Sequence, residues 1–118
     1  MINFDESILD SVKKFLGLVP EYTEYDSQII TWINSAFVQL NMIGYGPDNT
    51  FEISDNSTKW SEYIPDPKYS QVKSYIEAYV RSRFDPPSSS FVLSADKESL
   101  DELLWRINIL SEEDNDGR

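Results

Sequence analysis

The chain has 118 residues, enough for one domain that buries roughly two-thirds of its unfolded surface, and twenty-one acids against ten bases give a net charge of -11. It has no cysteine and no histidine, which excludes disulfides, thiolate or imidazole metal sites, and the Ser-His-Asp and Cys-His nucleophile systems. The acidic balance opposes tight binding to nucleic acid or anionic lipid. The acidic opening MINFDESILD is unlike a signal peptide and no apolar run approaches the ~20 residues that span a bilayer, so the expectation is a soluble protein made in the cytoplasm, with no membrane partner.

Asp5 can cap a first helix from Glu6 to Leu16, with Ile8, Leu9, Val12, Phe15 and Leu16 on one stripe and Gly17 as its stop. Asp10 stands four residues before Lys14, the favourable order for a helical ion pair. Pro20 interrupts the chain before a second helix, at whose start Thr23 and Asp26 resemble a capping box with a shortened acid. Ile29, Ile30, Ile33, Phe37, Leu40 and Ile43 keep helical spacing, and Trp32, Ala36 and Val38 widen the apolar arc, which predicts a central helix covered on more than one side. Gly44 and then Gly46-Pro47 end it.

Residues 45–66 read as a long irregular loop able to hold a short strand or hairpin, because Phe51 and Ile53 alternate with polar neighbours among turn-forming residues. Its Phe51, Ile53, Trp60 and Tyr63 either fold back on the bundle or serve a subunit or partner interface. Asp66-Pro67 starts a third helix that runs to Phe84, with Val72, Tyr75, Ile76, Tyr79, Val80 and Phe84 inward and a Lys73, Glu77, Arg81 charge ladder on its outer side. Pro86-Pro87 stops it and stiffens a loop that presents Phe91, Val92 and Leu93. Ser94 is the expected cap of the last helix, whose Leu100, Leu103, Leu104, Ile107 and Leu110 face inward, with Trp105 and Ile109 as a second stripe.

The expected architecture is therefore all-α: a small bundle of about four helices forming one domain over residues 1–111, followed by an acidic, disordered tail at 112–118. Charge is unevenly spread, since only residues 67–93 are net positive while 21–66 sum to -7. Lys73, Arg81 and Arg83 in the positive block either pair within the subunit or meet the acidic face of a neighbouring copy. No constellation points to chemistry. In DNSTKWSEYIPD, residues 55–66, Lys59 and Trp60 replace a calcium ligand and the obligatory glycine, the four glycines form no phosphate cradle, and the carboxylates read as caps and solubilising groups. Catalytic, cofactor and metal residues are expected to be absent.

ILDSVKKFLGL at 8–18, YDSQIITWINSAFVQLNMIGYGP at 25–47 and VKSYIEAYVRSRFDPPSSSFVL at 72–93, with the later LLWRINI, resemble the head-tail connector (adaptor) proteins of tailed bacteriophages. The resemblance implies a structural virion protein and no enzyme. It further implies a homo-oligomeric ring of about a dozen copies under the portal protein, compatible with a monomer in solution. Such a ring extends the DNA channel, lets DNA pass without tight binding and docks the next neck or tail-completion protein. The implied location is the head-tail junction of the virion, after assembly in the bacterial cytoplasm. On this reading Phe51, Ile53, Trp60, Tyr63, Lys73, Arg81, Arg83, Phe91 and Leu93 are candidates for the subunit or partner interface. The alternative is a small acidic phage protein that binds a host or phage partner, as a regulator or DNA mimic.

Overall fold

A computed structural model describes residues 5–46, 51–86 and 88–116, with side chains as far as 112. Pro47 and Pro87, two of the expected stop signals, lie outside the described residues, as do Gly117 and Arg118 at the end of the tail. Among the described residues five α-helices follow in order: α1 Ile8–Phe15, α2 Asp26–Met42, the short α3 Trp60–Tyr63, α4 Ser70–Phe84 and α5 Ser90–Asp116. Helix α4 is the centre, packing on α2 along one flank and on α5 along another, while α1 closes the bundle against α2 and α4. The described residues contain no strand, which agrees with the all-α expectation.

Helix α1 starts two residues later than Asp5 would place it, because Ser7 is the cap: its hydroxyl accepts the Asp10 N–H at 3.2 Å. Ile8, Leu9 and Val12 enter the core as the spacing predicts, but Phe15 is exposed. Gly17 ends the segment at φ 86°, and nothing lies near enough to crowd a side chain there, so backbone conformation alone calls for glycine. One turn earlier Lys13 is only 1% exposed. Its Nζ lies 2.8 Å from the Pro20 carbonyl and 2.8 Å from Asp26 Oδ1, which ties α1, the following loop and the start of α2 together. Asp26 is thereby engaged elsewhere, and the expected capping box with Thr23 does not form: Tyr25 occupies the cap position and makes no side-chain cap bond. Thr23 contributes its backbone carbonyl instead, accepting the Asp26 N–H at 3.2 Å.

Along α2, Ile29, Ile33, Ala36, Phe37 and Leu40 are buried and Trp32 is half-buried. Val38 corrects the expectation of cover on more than one side. It stands opposite the buried stripe and is exposed, since neither α1 nor α4 reaches round the helix. After Met42, Gly44 at φ 93° turns the chain, and its carbonyl accepts the Ser111 hydroxyl at 3.2 Å.

The described part of the long loop, residues 51–66, contributes to the core. Ile53 forms no strand because the Asn34 side chain satisfies both of its backbone groups, accepting its N–H at 2.8 Å and donating to its carbonyl at 3.0 Å. The segment before α3 crosses the entry to α1 in an isolated antiparallel bridge between Ser7 and Lys59, with Ile8 N–H donating to Thr58 O at 2.9 Å. Trp60, Tyr63 and Ile64 are then buried.

Asp66 caps as expected, accepting the Lys68 N–H at 3.1 Å, but what it opens is a single 3-10 turn, Pro67–Tyr69, that leads into α4. Val72, Tyr75, Ile76, Tyr79 and Val80 face inward. The charge ladder is not wholly external: Glu77 is buried and pairs with half-buried Lys73 at 2.8 Å, and the Lys73 Nζ lies over the Trp60 ring, 5.5 Å from its centroid. Helix α5 begins four residues before Ser94, with the Ser89 carbonyl accepting the Leu93 N–H at 2.9 Å. Phe91, Val92 and Leu93 therefore belong to the first turn of a helix and not to a stiffened loop. At its other end the backbone of α5 stays helical to Asp116, into the segment for which composition alone predicts disorder.

Candidate docking surface

The structure divides the candidate interface residues into two groups. Trp60, Tyr63 and Ile53 are interior, and Phe51 is half-buried with its ring centroid 5.2 Å from that of Phe37 and 4.8 Å from that of Tyr63. These residues pack against one another within the subunit. Lys73 is committed to Glu77. Arg81, Arg83, Phe91 and Leu93 are exposed, and all four lie near the C-terminal end of α4 and the N-terminal end of α5.

That end of the bundle gathers exposed apolar side chains from several elements. The Lys13–Asp26 pair brings the end of α1 to the start of α2. Tyr25 meets Phe84 edge-on at 5.5 Å, which brings the start of α2 to the end of α4, and Arg81 lies 5.8 Å from the Phe15 ring. Phe15, Val19, Tyr22, Tyr25, Phe91, Val92 and Leu93 are all exposed there. Tyr22, Tyr25, Phe84 and Trp32 form a run of edge-to-face rings, with centroid separations of 5.9, 5.5 and 6.5 Å. A groove of about 610 Å³ opens between α4 and α5, lined by Phe15, Ala78, Arg81, Val92, Leu100 and Leu103 together with Asp85 and Asp96. A second, of about 470 Å³, lies on the other side of α5 and includes Gln39, Tyr79, Arg83, Leu93, Lys97 and Leu104. The Arg83 guanidinium covers the Tyr79 ring at 3.7 Å, so this cation is held in place by stacking.

Sequence spacing assigned Phe15 to the core and gave no reason to single out Val19, Tyr22 or Tyr25. Their common signal is weak: large apolar residues close to a helix end or a proline, outside any periodic stripe.

The perturbed ionisable groups are structural. Tyr22 donates to Glu24 Oε2 at 2.6 Å, and that acceptor carboxylate raises the phenol to about 12. Burial raises Tyr75 to about 12 and pushes Tyr45 and Tyr63 higher still, with Tyr45 donating to the Tyr63 carbonyl at 2.9 Å. Asp55 is held low by hydrogen bonds from the Ser57 hydroxyl and N–H. Among the described residues no cluster of carboxylates could hold a metal ion, and no helix is long and apolar enough to cross a membrane. This surface is aromatic, apolar and edged by arginine, the composition of interface centres.

The model of the family described as phage connector protein matches residues 8–114. No curated protein and no solved structure matches the chain.

Proposed function

Because the chain belongs to the phage head-tail connector family, whose role is structural and not enzymatic, we propose that it forms an oligomeric ring under the portal, prolongs the DNA channel and supplies the docking surface for the next neck or tail-completion protein. Family membership over residues 8–114 carries the reading, and the exposed aromatic end of the bundle supports it. A monomer of this size seldom leaves so much apolar surface open at one end unless something covers it. The net charge of -11 fits a channel wall, since duplex DNA that has to slide must not be held by basic contacts. The same charge makes copies repel at long range, so assembly strengthens as salt screens it. Subunits collect in the host cytoplasm and end at the head-tail junction.

Electron microscopy of the purified protein, alone and mixed with portal-bearing particles, tests this. Rings in either sample are the expected result. A protein that stays monomeric and also fails to join the particles contradicts it.

A further inference from the structure

On the ring reading above, each copy presents two different faces to its neighbours. Two helices leave such faces uncovered. Helix α2 has no charged side chain after Asp26, in a chain that is 26% charged. On its side away from the core, steps of three and four residues align Thr31, Ser35, Val38 and Met42, of which Val38 is 55% and Met42 75% exposed. Helix α5 carries Phe91, Glu98 and Trp105 at steps of seven on the side away from α4, with Phe91 82% and Trp105 62% exposed. Both are stripes of the kind that pack against another helix, and inside one subunit each helix spends its opposite side on α4.

Charge decides which stripe meets which. Pairing α5 with α5 across a two-fold axis, Phe91 on Trp105, would set Glu98 against its own copy. Glu102 is partly neutralised by Arg106, but Glu98 lies between the two aromatic residues and has no cation bonded to it on its own helix. Pairing α2 with α2 would leave Phe91 and Trp105 in water. Of these three pairings, α2 against α5 covers both stripes while facing Glu98 with an uncharged surface. We propose that the outward stripe of α2 on one copy packs on the outward stripe of α5 on the next, Val38 and Met42 meeting Trp105. The two faces differ, so the contact is head-to-tail and repeats around a ring.

The absence of native cysteine allows a direct test. Val38→Cys and Trp105→Cys proteins are prepared singly, assembled as a mixture under the conditions that give rings and oxidised. Both sites are exposed, so each variant melts close to the wild type. The mixture forms a disulfide-linked dimer that neither single variant forms, and the double variant forms a ladder of linked copies. In parallel, Val38→Glu, which sets a charge against the Trp105 ring, weakens assembly by about tenfold or more. Rings without the mixed crosslink, crosslinking of either single variant to itself, or undiminished assembly of Val38→Glu overturns this contact and leaves the ring standing. Failure of the wild type to assemble at all, even on portal-bearing particles, overturns both.

Discussion

Residues 45–66 and residues 85–94 look alike on paper and behave in opposite ways. Both set a few large apolar residues among prolines, serines and acids, and both interrupt the helical periodicity. The first folds inward over its described residues 51–66: Trp60 and Tyr63 are wholly buried, Ile53 is pinned by the Asn34 amide, and the strand-like bridge at Ser7 and Lys59 holds the segment against α1. The second stays outside, with Phe91 82% exposed although it belongs to a regular helix. The difference lies in what each segment can reach. The loop lies against α1 and α2 and is taken into their core, whereas α5 begins beyond the end of α4, where Val92 shares an open groove with Phe15, and Phe91 and Leu93 stay exposed. Irregular backbone can therefore be core and regular helix can be interface.

The sharpest way to break that contrast is to remove the loop's anchor. Trp60→Ala is expected to cost about 3–5 kcal/mol in equilibrium unfolding, the range for deleting a buried aromatic. A loss under about 1 kcal/mol would place the loop outside the cooperative core. Next in size is Asn34→Ala, which leaves the Ile53 N–H and carbonyl without their partner and should cost about 1–3 kcal/mol. An unchanged denaturation midpoint would mean that water replaces the amide there. The smallest stability effect belongs to Phe91→Ser, expected within about 0.5 kcal/mol of the wild type because the ring loses little burial. That variant should nonetheless assemble poorly, as judged by sedimentation at the concentration where the wild type associates. If it unfolds the subunit instead, Phe91 is a core residue and the contrast fails.

Most of the helical framework was legible because α1, α2 and α4 each bury one periodic stripe, and glycines at 17 and 44 mark the first two ends. Helix α3 was not, since the four residues Trp60–Tyr63 are too few to show a period. The start of α5 was missed for a related reason. Phe91, Val92 and Leu93 are consecutive and exposed, so they define no inward face, and the serines at 88–90 and 94 are all acceptable caps. Of the candidate surface, the exposure of Arg81, Arg83, Phe91 and Leu93 could be anticipated from charge and punctuation. Phe15, Tyr22 and Tyr25 could not, because they become one surface only when the ends of α1 and α4 and the starts of α2 and α5 are brought together. Val38 misled in the opposite sense: an apolar residue in an apolar helix reads as core until the helix is seen to be covered on one side.

Hydrogen exchange followed in the free subunit and in the assembled ring tests the division between the two regions most directly. The account predicts that the amides of Ile53 and of Trp60 and Ile64, which donate to Asn34, Glu6 and Trp60, are slow in both states. The amides of the first turns of α5, residues 90–97, should exchange fast in the free subunit and slow down only on assembly. Equal protection of residues 90–97 in both states, or fast exchange of the loop amides in the free subunit, would contradict it.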